Sequence, residues 1–109
     1  MIGRQMRLEK LRNELDRIIN KIDKSQVKKI ILFGSLVNGR VGLTSDIDLI
    51  VVRNTKERFL DRLESIYKEV EPDMAVDILV YTPQEIREMK SWNSFVMRAL
   101  KEGKVLYEA

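Results

Sequence analysis

Three aspartates stand where apolar residues would be expected. Strands are poor in acids because an unpaired carboxylate is costly to bury. Yet one β-branched run opens Asp46-Ile47-Asp48 and another reads Ala75-Val76-Asp77-Ile78-Leu79. Side chains alternate across a strand, so Asp46 and Asp48 leave one face, roughly 7 Å apart at Cα, while Ile47 and Leu49 leave the other. If a helical crossover makes the two strands parallel neighbours, Asp77 joins them on the same face. Carboxylates gathered within about 5 Å repel by roughly 3 kcal/mol per pair at an effective dielectric of 20, which a bound divalent cation relieves. Oxygen-only ligands select Mg²⁺, with Mn²⁺ as the substitute, and Mg²⁺ binds through one or two carboxylates plus substrate phosphates. The plainer alternative is that Asp46 caps a turn and Asp77 pairs with a surface lysine.

A second feature precedes the first aspartate by ten residues. Phe33-Gly34-Ser35 ends an apolar run, and a Gly-Ser step leading into a helix offers backbone N–H groups and a hydroxyl to anionic oxygens. If the flanking strands run antiparallel, this phosphate seat faces the carboxylates. Arg40 lies in the same loop, either touching phosphate or simply solvated. The spacing Gly34-x4-Gly39-Arg40 nearly spells a P-loop, but Arg40 and Val41 stand where that motif needs Lys and Ser or Thr.

The surrounding elements must hold these groups in place. Leu8, Leu11, Leu15, Ile18, Ile19 and Ile22 recur at helical spacing from Met6 to Asp23. Val27 to Phe33 reads as a buried strand, Gly34 to Gly42 as a loop with a short helix inside it, and Asp46 to Val52 as a second strand. Asn54 and Glu57 have capping-box spacing ahead of the stripe Phe59, Leu60, Leu63, Ile66, Tyr67 and Val70. Met74 to Tyr81 is a third strand, and Thr82-Pro83-Gln84-Glu85 opens another helix. Trp92, Phe95, Val96, Ala99 and Leu100 form a last stripe, ended by Gly103 before Val105-Leu106-Tyr107, an edge strand. Trp92, Phe95 and Met97, with Met89 nearby, either pack this helix on the core or form part of a docking face. The fold class is α/β (α+β): a mixed sheet of three to four strands covered by helices, in the order α-β-α-β-α-β-α.

Composition narrows the chemistry. The 109 residues are 44% hydrophobic and 34% charged, fitting one compact domain over 1–109. There is no cysteine or histidine, which excludes thiol nucleophiles, disulfides, imidazole acid-base chemistry and zinc sites. The balance of 20 basic against 17 acidic residues is too mixed for a nucleic-acid stripe, and the aromatics are spaced as core residues, so nucleic acid is disfavoured as a partner. No apolar run reaches the length of a membrane span and Met1 to Lys10 lacks a signal-peptide core, so the expected location is cytoplasmic.

Taken together, Gly34-Ser35, ten intervening residues and Asp46-Ile47-Asp48 resemble the signature of the DNA polymerase β-type nucleotidyltransferase superfamily, and the small size is similar to its minimal nucleotidyltransferase branch. Four fixed letters at that spacing arise by chance in on the order of one in a thousand chains of this length. The resemblance runs from Val27 to Tyr107. It implies that Asp46, Asp48 and Asp77 are catalytic and bind two Mg²⁺ ions, Asp77 as third ligand or as base toward the acceptor hydroxyl. Gly34 and Ser35 would hold the β- and γ-phosphates of ATP or another nucleoside triphosphate. The implied reaction is in-line attack of a hydroxyl on the α-phosphate with loss of pyrophosphate. Leu36 departs from the pattern, since many relatives carry a basic or aromatic residue directly after Gly-Ser. Minimal members often pair, as antitoxins, with a small all-helical HEPN protein, and some transfer AMP to a tyrosine of that toxin. The alternative is a nucleotidyltransferase-fold module that neutralises its partner by complex formation alone. Self-association and hetero-oligomer formation are both compatible with the sequence.

Overall fold

The computed structural model describes residues 2–39 and 47–109. Helix α1 (Ile2–Lys21) leads into strand β1 (Val27–Phe33), a 3-10 turn (Ser35–Asn38) and β2 (Ile47–Arg53). Helix α2 (Phe59–Val70), β3 (Val76–Tyr81), α3 (Pro83–Met89), α4 (Ser94–Glu102) and β4 (Lys104–Glu108) follow. The sheet order is β3-β2-β1-β4, with β1 antiparallel to both β2 and β4 and β2 parallel to β3. This is the mixed α+β sheet the sequence implies, with four strands. The final helical stretch divides into α3 and α4 because Met89 O accepts from the N–H groups of Trp92 and Asn93, closing a turn.

Strand alternation gives the sheet two unlike faces. On one, Ile30, Leu32, Ile47, Leu49, Val51, Val76, Ile78 and Val80 pack with Leu11, Leu15, Ile18 and Ile22 of α1 and Ile66 and Val70 of α2. Each fully buried side chain of this kind contributes about 1.5–3 kcal/mol. On the other face Ile31, Ile50 and Val52 meet Ala99, with Phe33, Leu79, Tyr81, Ile86 and Leu100 partly buried around them. This second face has thinner cover, from α3 and α4, and it carries the odd-pattern aspartates.

Two expectations about helix ends need correction. Asn54 and Glu57 do not form a capping box: the N-cap of α2 is Arg58, with no side-chain cap. Arg53 still pairs with Val27, and the Asn54 N–H donates to Gln26 O, so the chain continues the central β1–β2 pairing and the helix starts later. Glu57 instead accepts from Ser65 Oγ at 2.7 Å. Nor do the apolar residues of the last stripe share one environment. Val96 and Ala99 are buried, whereas Trp92 is 69% exposed in the α3–α4 connection, where no sheet lies beneath it.

The other capping box is as expected. Thr82 Oγ1 accepts from Glu85 N at 3.1 Å, and Glu85 Oε1 accepts from Thr82 N at 2.8 Å. The same carboxylate grips Arg62 of α2 through both guanidinium nitrogens, at 2.7 and 3.2 Å, while Arg62 Nη1 also donates to Val80 O. This buried arginine therefore joins α2, β3 and α3. At the opposite corner Glu14 accepts from Arg17 and from the Asp73 N–H, tying α1 to the α2–β3 connection. Among the described residues no buried polar side-chain atom lacks a partner.

Candidate active site

The register of the sheet sets Phe33, Asp48 and Asp77 in one row: Phe33 of β1 opposes Asp48 of β2, which lies beside Asp77 of β3. Neighbouring strands are about 4.8 Å apart, so the two aspartates leave the thinly covered face side by side. Asp48 is half-buried and Asp77 is exposed. They line a cleft of about 360 Å³ with Phe33, Leu63, Tyr67 and Phe95.

Gly34 follows Phe33 directly and has φ 80° and ψ −162°, a positive-φ region open essentially only to glycine. A Cβ at this position would collide with the Asp48 carboxylate. Glycine is thus required twice over, by conformation and by the approach of backbone to carboxylate. Ser35 begins the 3-10 turn, which Gly39 closes in the left-handed conformation. Gly34 and Ser35 are exposed and line a second cleft of about 400 Å³ with Phe33, Asn38, Phe95, Arg98 and Glu102. The two clefts meet at Phe33 and Phe95, whose rings stand edge to face with centroids 5.2 Å apart.

Four of the six sequence-derived candidates, Gly34, Ser35, Asp48 and Asp77, are therefore brought to one end of one sheet face. The other two, Arg40 and Asp46, lie outside the described residues. Among the described residues no group of three metal-ligating side chains converges. The donor set nonetheless suits a hard divalent ion: the two aspartates stand on neighbouring strands in register, the chain has no cysteine or histidine, and the missing Cβ of Gly34 lets the Asp48 carboxylate lie against the phosphate-seat backbone.

Sequence reading missed one positioning group. Tyr67 falls on the apolar stripe of α2, but its hydroxyl donates to Val76 O at 2.9 Å and accepts from Ile78 N at 3.0 Å. These peptide groups flank Asp77 on the outer edge of β3, an edge strand. One hydroxyl thus satisfies both and fixes the backbone that carries the carboxylate. Leu36 is 4% exposed and belongs to the main core, which explains why the position after Gly-Ser is apolar here.

The Gly34-Ser35 bend thus stands at the same sheet end as Asp48 and Asp77. The model of the nucleotidyltransferase domain family matches residues 8–106, and the chain belongs to that family. Among solved structures, the fold is similar to a protein from Sulfolobus solfataricus assigned as a nucleotidyltransferase, with 21% identity, TM-score 0.60, and 98% of this chain and 86% of that one covered. It is also similar to a mutant of the toxin-antitoxin MntA-HpeT, with 20% identity, TM-score 0.52, and 90% and 72% covered. No curated protein sequence matches. No helix among the described residues is long and apolar enough to cross a membrane.

Proposed function

We propose that the chain transfers a nucleoside monophosphate, AMP from ATP, to a hydroxyl of a partner protein. The acceptor we favour is a tyrosine of a small helical HEPN-type toxin, which makes this chain the antitoxin. The observation that carries the reading is the row Phe33–Asp48–Asp77, which sets two carboxylates against the Gly34-Ser35 bend. Family membership supports the reaction class, and the likeness to a toxin-antitoxin structure supports the partner class.

Asp46 and Asp48 would hold two divalent cations, Mg²⁺ or Mn²⁺, which when bound would supply charge neutralisation at the phosphate oxygens, with Asp77 beside them in the role of base. The backbone at Gly34 and the Ser35 hydroxyl donate to the β- and γ-phosphates. Exposed Asp77 receives the proton of the acceptor hydroxyl as its oxygen bonds to the α-phosphorus. The bond from that phosphorus to the bridging oxygen breaks, and pyrophosphate leaves.

Incubating the chain with α-labelled ATP, Mg²⁺ and its co-purified partner should label the partner. Asp48→Ala should abolish that labelling while leaving the fold intact, and label transfer undiminished in the variant refutes the mechanism. The inward turn of Leu36 favours a second reading, in which triphosphate affinity is weak and the chain neutralises its partner by binding alone. In that case Asp→Asn variants at all three positions still neutralise the partner.

A further inference from the structure

The cleft that holds Ser35 also holds a cation that no sequence motif marks. Position 36, where a donor to phosphate would follow Gly-Ser, is occupied by a leucine buried in the core. Across the cleft, α4 presents Arg98 to the same space as Gly34, Ser35 and Asn38. Among the described residues lining this cleft Arg98 is the only cation, and Glu102 the only anion. The helix sits close to β1 because Ala99 is buried against the sheet and Gly103 closes α4 where a Cβ would strike Ile31 and the Leu32 carbonyl. Arg98 is thus carried by a part of α4 with a fixed distance to the end of β1.

The guanidinium is at present engaged by Glu102, one turn on, with Nε to Oε2 at 3.1 Å. Both side chains are largely exposed, at 79% and 63%, and an exposed pair at this spacing is weak and easily exchanged. A triphosphate tail seated on Ser35 offers a stronger partner: several charged oxygens that match the planar fork of an arginine.

We infer that Arg98 is a phosphate-binding residue of this site, whose guanidinium parts from Glu102 and clasps the terminal phosphates of the nucleotide, and that Glu102 acts as the competing anion that sets nucleotide affinity. The inference rests on the nucleotidyltransferase reading and adds a second side of the phosphate seat, supplied by α4. It makes two predictions of opposite sign from neighbouring residues. Arg98→Ala removes the donor and weakens binding of Mg²⁺–ATP about tenfold or more, as expected for a hydrogen bond to a charged group. Glu102→Gln removes the competitor and tightens it. AMP, which lacks the β- and γ-phosphates, binds equally to wild type and both variants.

The test is calorimetric titration of the full chain with Mg²⁺–ATP and with AMP, for wild type, Arg98→Ala, Arg98→Lys and Glu102→Gln, with thermal melts to verify folding. Weaker ATP binding in Arg98→Ala, partial recovery in Arg98→Lys and tighter binding in Glu102→Gln establish the role. Wild type that binds Mg²⁺–ATP, with Arg98→Ala equal to it, overturns this inference and leaves the nucleotidyltransferase reading standing. Wild type that binds no nucleotide, alone or with its partner present, overturns both. A loss of equal size for AMP and ATP in Arg98→Ala also overturns it, because the contact would then not be to the terminal phosphates.

Discussion

Gly34 bears the heaviest constraint of any single residue at the site. Its backbone conformation costs an L residue roughly 1–3 kcal/mol, and its missing Cβ is the space into which the Asp48 carboxylate reaches. Gly34→Ala should therefore lower stability by about that amount and also displace Asp48, reducing nucleotide transfer at least about tenfold. Gly39→Ala is the control, since Gly39 also has positive φ, in the left-handed conformation, but open space where the Cβ would lie. It should show the melting loss without the loss of transfer. Equal activity in the two variants would mean that the approach to Asp48 has no catalytic consequence. The Gly-Ser pair and the aspartates were legible in the sequence because their residue types conflict with a strand interior. That Gly34 lies against Asp48 was not, because that proximity depends on the register of β1 with β2.

At the scale of elements, periodicity found the core-facing Ile66 and Val70 of α2 but also put the 75% exposed Leu60 on the stripe, left out the buried Arg62, and did not tell what a polar atom on an apolar stripe does. Tyr67 fits the α2 stripe as well as Leu63 does, and only the pairing of β3 at the sheet edge reveals two outer peptide groups in need of a partner. Tyr67→Phe keeps the ring and removes both hydrogen bonds. It should cost about 1–2 kcal/mol in stability. It should also lower kcat severalfold with little change in KM for the nucleotide, because Asp77 loses its support while the Gly34-Ser35 seat is untouched. A rise in KM with kcat unchanged would point to a role in nucleotide binding instead. The helix start at Arg58 is the complementary case. The Asn54 and Glu57 spacing is a sound local signal, overridden because Asn54 is held to Gln26 by the continuing β1–β2 pairing.

At the scale of the whole molecule, two carboxylates join elements that carry the site to elements that do not, and both favour the charged form. Arg17 beside Glu14 holds its carboxyl below the ordinary glutamate value, against the opposing effect of burial. Arg62 does the same for Glu85. A folded-state value below the unfolded one means that each contributes its full stability above the ordinary value of 4.5, and loses it as pH falls through the lower folded value. The chain has no histidine, so no imidazole titration interrupts the neutral range. Melting temperature should thus be nearly level from pH 8 to about 5 and fall increasingly below 4.5. Glu85→Gln should lower the level part by about 2–3 kcal/mol, less than for a wholly buried pair because Glu85 is about a third exposed while Arg62 is buried. The same variant should show a shallower fall in acid, since one of the linked protons is gone. A variant that melts lower at pH 7 yet retains the full acid slope would mean that Glu85 acts through the Thr82 cap alone, and that the arginine joining α2, β3 and α3 finds another acceptor.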